Sequence, residues 1–160
     1  MLAALMFVSK KLMEALPNVH LLGLLIMTTT IVFRAKALWP LYVYVLADGI
    51  MLSFSPWWAP YLYVWAILWG VTMLLPRRMP RPVAMVVYPA VCGLFGLAFG
   101  TLYAPGFALL FGLDFHGMLA WIVNGLPFDV IHGVSNLLLG TLVLPLSDLL
   151  RRLADSSTRT

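Results

Sequence analysis

The sequence predicts an all-α integral membrane protein whose six transmembrane helices form one bundle. Two observations carry this prediction: 62% of the 160 residues are hydrophobic, and only 10% are charged. Soluble domains are nearer half apolar and a quarter charged, and small domains bury the smallest fraction of their surface. A chain of this length therefore needs lipid around much of its surface, and the lipid bilayer is an expected partner.

The spans are predicted from apolar stretches between prolines, glycines and charge clusters, because a bilayer core of about 30 Å needs about 20 helical residues. The single transmembrane domain 1–160 contains six predicted spans, at residues 2–16, 19–33, 37–54, 57–75, 83–103 and 127–153. Pro17 is expected to end the first span. Residues 104–126 are rich in Pro and Gly, so we expect an outer loop there with a short helix over about 115–123.

The basic residues predict the orientation of the bundle. Between and after the spans they occur only on one side of the alternating connections: Arg34, Lys36, Arg77, Arg78, Arg81, Arg151, Arg152 and Arg159. Because short cytoplasmic loops carry an excess of Lys and Arg, both termini are expected in the cytoplasm, with the chain in the cell membrane. The net charge is +4, but the basic residues are scattered between apolar stretches. Nucleic acid is therefore not an expected partner.

Polar residues at membrane depth usually face a bundle interior or a wet cavity. Asp129, His132 and Asn136 are three and four residues apart, so they share one face of the last span. The outer ends of the first and third spans also carry polar residues: Glu14, Asn18, His20 and Asp48. A cavity that opens to the outside is the simplest arrangement that accommodates all of them.

Some of these residues have structural alternatives. Asp129 follows Pro127 by two residues, so it could complement the N-terminus of a helix that begins there. Lys10 and Glu14 are four residues apart and are expected to form an ion pair, with Lys11 extending toward the membrane surface. A stripe of glycines at positions 93, 96 and 100 predicts close approach of another helix.

Residues 124–136, with the sequence NGLPFDVIHGVSN, resemble the segment that opens the last helix in substrate-binding S components of energy-coupling-factor (ECF) vitamin transporters. The LPNVH sequence at residues 16–20 resembles their first outer loop. The resemblance implies a membrane-embedded subunit that captures a small water-soluble vitamin or related micronutrient at its outer end. It also implies docking on a T component driven by two cytoplasmic ATPases, so neither an enzymatic activity nor a cofactor is expected of this chain.

By position, the resemblance assigns Asp129, His132 and Asn136 to the pocket, with the outer polar residues and aromatics facing or gating it. The full set of expected substrate-binding residues is Asp129, His132, Asn136, Asp48, Asn18, His20, Glu14, Trp57, Trp58, Tyr61, Trp121 and Asn124. Planar rings stack well on Trp and Tyr, so the aromatic members favour a ligand with a planar ring.

Two other functions stay open at this point. Asp129 and His132 could act as orienter and base in an intramembrane enzyme, with Ser135 three residues further on. His20, His116 and His132 could instead bind a transition metal ion, since imidazole suits nickel, cobalt or zinc. No HxH or HxxxH pair strengthens the metal hypothesis, and no GxSxG or HExxH motif strengthens the enzyme hypothesis.

Overall fold

The computed structural model describes residues 1–16 and 18–157, and within them the chain is all-helical, as the sequence predicted. Pro17 and Arg159, to which the sequence analysis gave roles, lie outside the described residues. A short 3-10 helix (Arg34–Ala37) joins the second and third of seven α-helices. These are α1 (Leu2–Leu12), α2 (Leu22–Phe33), α3 (Leu38–Met51), α4 (Tyr61–Leu74), α5 (Arg81–Phe111), α6 (Phe115–Gly140) and α7 (Val143–Ser157).

Three helical stretches are long and apolar enough to cross a membrane: Leu22–Met51, Arg81–Phe111 and Phe115–Gly140. The 31 residues of α5 extend about 46 Å at 1.5 Å per residue, which exceeds the hydrocarbon thickness of about 30 Å. Large apolar side chains are exposed along the long helices, including Leu94 at 64% and Leu138 at 66%. Helices of this length and surface have the character of membrane spans, as expected from the composition.

The first of these stretches, Leu22–Met51, changes direction at Arg34, whose φ of 55° lies in the left-handed region. The Arg34 guanidinium donates to the carbonyl of Met73 (2.5 Å), so the end of α2 lies beside the end of α4. The next helix runs back: the Tyr42 hydroxyl donates to the carbonyl of Leu62 (3.0 Å) near the start of α4. The stretch therefore consists of two shorter helices that run in opposite directions, with α3 antiparallel to α4.

The prediction of an outer loop at residues 104–126 is wrong. Helix α5 continues through Pro105 to Phe111, and α6 begins at Phe115 and continues through Pro127. The turn between them is short: Gly112 adopts the left-handed conformation (φ 65°), and the Asp114 carboxylate caps α6 by accepting from the Gly117 amide (2.7 Å). In an apolar environment a helix with an internal proline leaves fewer backbone groups unpaired than a loop does, which is why Pro does not end these helices.

Other predicted boundaries also differ. The first helix ends at Leu12 rather than at residue 16, and α4 begins at Tyr61 after a series of turns rather than at residue 57. The last predicted span, 127–153, is divided at Thr141: α6 ends at Gly140, and the separate helix α7 has one apolar and one charged face. Its amphipathic pattern is typical of a helix that lies at a surface.

Helices α5 and α6 form an antiparallel hairpin and the most extensive helix contact of the fold. The predicted close approach at the glycine stripe is confirmed. A Cβ atom at Gly96 would lie 2.7 Å from the carbonyl oxygen of His132 and 2.9 Å from the Cα of Gly133. Because the helices approach so closely, the backbone of Gly100 on α5 lies directly beside the Asp129 side chain on α6.

Candidate functional site

Asp129 lies in the middle of α6 and is only 6% exposed. Its Oδ1 atom accepts a hydrogen bond from the Gly100 amide (2.9 Å), whereas its Oδ2 atom is buried without a hydrogen-bond partner among the described residues. Because α6 begins fourteen residues earlier, at Phe115, the alternative role for Asp129 at a helix N-terminus is wrong. The side chain is a buried acceptor with unused capacity, which costs free energy unless a donor reaches it.

A cavity of about 280 Å³ opens beside this carboxylate, between α5, α6 and the turns that precede α4. Its lining is mostly aromatic: Trp57, Tyr61, Phe99, Tyr103, Trp121 and Phe128, together with Asn18, Gly100, Gly125 and Asp129. The sequence predicted five of these residues as substrate-binding: Asn18, Trp57, Tyr61, Trp121 and Asp129. We call this space the aromatic cavity. It has the mixture of apolar walls and few polar groups that small-molecule sites have, and its volume lies just below their usual range of about 300–1,000 Å³.

Several rings of the aromatic cavity are nearly parallel. Tyr103 stacks on Trp121 with centroids 5.7 Å apart and planes 14° apart, and it stacks on Phe99 at 6.0 Å and 26°. The Tyr103 hydroxyl donates to the carbonyl of Trp57, so the turn before α4 is tied to α5. Parallel rings offer a flat surface on which a further planar ring can stack.

Sequence reasoning missed Phe99, Tyr103 and Phe128 as lining residues. A signal for the first two existed, because Phe99 and Tyr103 are four residues apart and therefore share one face of α5. Both residues lie inside the predicted span 83–103, so the signal was present in the sequence. Phe128 carried no such signal, because only the course of α6 past α5 brings it to the cavity.

A second group of polar side chains lies next to the aromatic cavity. His20, which precedes α2, and His132 on α6 bring their rings to 4.7 Å, and Phe99 bridges from the cavity to His132 at 4.8 Å. In the described part of the chain, no hydrogen-bond partner reaches His20 Nδ1, either nitrogen of His132 or either side-chain polar atom of Asn136. The face shared by Asp129, His132 and Asn136 is thus buried, as the helical spacing predicted.

Asp48 forms a buried ion pair with Lys10, with Nζ 2.7 Å from Oδ2. The Asp48 side chain is completely buried, and the Lys10 ammonium lies 4.8 Å from the centre of the Tyr61 ring, in a cation–π contact. The pair therefore touches the aromatic cavity through Tyr61. The expected ion pair between Lys10 and Glu14 is wrong: Glu14 pairs with Lys11 (3.3 Å) at the surface, because α1 ends before position 14.

Three expected site residues lie away from the aromatic cavity. Glu14 and Asn124 are exposed. Trp58 is buried, and its indole Nε1 donates to the carbonyl of Val45 (2.7 Å), so it joins α3 to the turn before α4.

The structure also bears on the two other hypotheses, a transition-metal site and an intramembrane enzyme. His116 is exposed at the start of α6, apart from His20 and His132, and the described residues include no group of three or more His, Cys, Asp or Glu side chains that could hold a metal ion. The Ser135 hydroxyl contacts the backbone carbonyls of Asn18 (3.1 Å) and His132 (3.0 Å), not an imidazole. This arrangement lacks the hydrogen bond from nucleophile to base that covalent catalysis uses.

The segment that resembles ECF S components, residues 124–136, occupies the second half of α6 and supplies Gly125, Phe128 and Asp129 to the aromatic cavity and His132 and Asn136 to the adjacent polar group. The segment therefore contributes to both parts of the site, as do Asn18 and His20 before α2. No protein-family model, curated protein or solved structure matches this chain.

Proposed function

We propose that this chain is the substrate-binding subunit of an ECF-type importer, which captures a small water-soluble vitamin or related micronutrient in the aromatic cavity. The observation that carries the proposal is the buried Oδ2 atom of Asp129, which has no hydrogen-bond partner among the described residues and belongs to a residue that lines a cavity of about 280 Å³. A ligand with a planar ring and a hydrogen-bond donor would stack on the walls and pair with this oxygen.

The same proposal includes a topology. Helices α1 to α6 would cross the membrane in alternate directions, with both termini cytoplasmic and α7 on the cytoplasmic surface. Its support is the distribution of charge: Arg34, Arg77 and Arg151 all lie at one end of the bundle, and the aromatic cavity lies toward the other. The ligand would then enter from outside the cell.

The energy for uptake would come from other subunits, a T component and two cytoplasmic ATPases, as the family resemblance implies. Two features of the chain support a role in binding without catalysis. The polar groups beside the cavity are acceptors and donors without partners among the described residues, and Ser135 is engaged by backbone carbonyls. Such groups suit the recognition of a polar ligand, since each gains a hydrogen bond when the ligand binds.

The first test is mass spectrometry of small molecules released from the gently purified protein. We expect one stoichiometric vitamin-like compound in the unmodified chain and its loss in Asp129→Ala and in His132→Ala. For Asp129→Ala, loss of a hydrogen bond to a charged group costs about 1.5–3 kcal/mol, which corresponds to roughly 10- to 150-fold weaker binding. Asn124→Ala is the matched control, because Asn124 is on the same helix but exposed, and it should retain the compound.

A second variant blocks the aromatic cavity without removing a polar group. Gly125 lines the cavity, and a Cβ atom there would meet no heavy atom of the described residues within 4 Å. Gly125→Leu should therefore fold normally and abolish ligand retention by filling the cavity, whereas Gly70→Leu on α4, where a Cβ atom is equally free, should retain the ligand. Recovery of lipid alone from the unmodified protein, even after incubation with a panel of vitamins, would contradict the proposed function.

A further inference from the structure

A second cavity, of about 190 Å³, lies at the opposite end of the bundle from the aromatic cavity. The connection from α4 to α5 and the helix α7 form most of its wall, and four arginines converge on it: Arg77, Arg78, Arg81 and Arg151. Asp148 and Ser147 on α7 also line it. We call this space the basic cavity.

The charges of the basic cavity are unbalanced. Of the described residues that line it, one carries a carboxylate, Asp148, which pairs with Arg81 at 3.2 Å. Among the described residues, the lining includes no second carboxylate to balance the other three guanidinium groups. Guanidinium groups repel one another, and they bind phosphate oxygens through paired hydrogen bonds. An anion in the basic cavity would relieve this repulsion.

Ser147 gives an independent indication of a ligand. Its side chain is 1% exposed and lines the basic cavity, and its hydroxyl has no hydrogen-bond partner among the described residues. Buried hydroxyl groups in folded proteins are normally hydrogen-bonded, because an unpaired one costs free energy. A phosphate oxygen in the cavity would accept the hydrogen bond that this hydroxyl can donate.

We propose that the basic cavity binds a phosphate group, carried either by an anionic membrane lipid or by a soluble phosphate compound. Apolar residues join the arginines on its lining, among them Ile31 and Leu144, and α7 exposes Leu149 and Leu153. This combination of arginines with apolar side chains resembles the setting in which lipid headgroups bind between helices near the membrane surface. The site is separate from the aromatic cavity, so it does not depend on the proposed transport function.

The test is lipid binding by the full chain in detergent, followed by native mass spectrometry during titration with dioleoylphosphatidylglycerol or dioleoylphosphatidylcholine. We expect one phosphatidylglycerol to bind in preference to phosphatidylcholine. Each arginine near a lipid headgroup is worth about fivefold in affinity, so Arg78→Gln with Arg151→Gln should weaken phosphatidylglycerol binding about 25-fold. Ser147→Ala, which removes one hydrogen bond to a charged group, should weaken it about tenfold.

The matched control is the double variant Lys36→Gln with Arg152→Gln, which removes the same charge from exposed residues that do not line the basic cavity. It should bind phosphatidylglycerol within about twofold of the unmodified chain, since removed charges outside the cavity act only at long range. Equal losses in both double variants would overturn the proposal, as would equal binding of the two lipids by an unmodified chain that inorganic phosphate does not stabilise. Unchanged affinity in Ser147→Ala would also count against it, even if the arginine variant failed to fold.

Inorganic phosphate distinguishes the two sources. If millimolar inorganic phosphate displaces phosphatidylglycerol and raises the melting temperature of the unmodified chain but not of Ser147→Ala, the cavity takes soluble phosphate compounds. If phosphatidylglycerol binds and inorganic phosphate does not displace it, the cavity recognises the lipid headgroup. If neither phosphate source binds, no phosphate site exists there.

Discussion

Lys10→Met is expected to lower the free energy of unfolding by about 3 kcal/mol, which corresponds to a fall in melting temperature of roughly 6–12 °C for a chain of this size. The reason is the carboxylate that remains. Asp48 is completely buried, its Oδ1 atom already lacks a partner among the described residues, and Lys10 is the partner of its Oδ2 atom. We expect the lower end of the range of about 3–5 kcal/mol for a broken buried pair because Lys10 itself keeps 23% exposure.

The neighbouring lysine provides the control. Lys11 pairs with Glu14, but both side chains are more exposed, at 28% and 68%. Such surface pairs are worth about 0–1 kcal/mol, so Lys11→Met should leave the melting temperature nearly unchanged. Thermal unfolding in one detergent compares the two variants directly. Adding Asp48→Asn to Lys10→Met should recover much of the loss, since the unpaired charge disappears. Equal melting temperatures for the two single lysine variants would show that the buried pair contributes little.

Gly96→Ala is expected to have the second large effect, a loss of about 3 kcal/mol, at the upper end for overpacked sites. The new methyl group would meet the carbonyl oxygen of His132 at 2.7 Å and the Cα of Gly133 at 2.9 Å. These are backbone atoms of a helix, so they cannot rotate away, and α5 and α6 must separate. The separation should also weaken the hydrogen bond from Gly100 to Asp129 and with it ligand retention.

Gly70→Ala should change stability in the opposite direction. A Cβ atom at Gly70 meets no heavy atom of the described residues within 4 Å, and Gly70 lies inside α4. Replacing a helical glycine by alanine without steric conflict stabilises by about 0.5–1 kcal/mol. Relative to the unmodified chain, the melting temperature should therefore fall in Gly96→Ala and rise in Gly70→Ala. If Gly96→Ala melted at or above the temperature of the unmodified chain, the tight helix contact at this position would be refuted.

The local sequence pattern alone was sufficient to predict several features of this protein. The apolar composition predicted helices with the character of membrane spans, because a chain with so few polar residues must satisfy its backbone within helices when lipid surrounds it. The spacing of Asp129, His132 and Asn136 placed them on one face, since the helical period is a property of the backbone. The glycine stripe predicted close helix contact for an equally local reason, the absence of side chains.

The tertiary structure decided which partners these local features meet. Lys10 lies within reach of Glu14 in sequence but pairs with Asp48, because α1 ends at Leu12 and packs against α3. Prolines that predicted a loop lie inside two long helices, whose packing and apolar surroundings outweigh the lost backbone hydrogen bonds. The aromatic cavity depends on the same packing, since Phe99 on α5 and Phe128 on α6 line one space only because these helices pack beside the turns before α4. Periodicity acts within one helix, whereas contacts between helices depend on the shape and packing of the whole bundle, which no short stretch of sequence specifies.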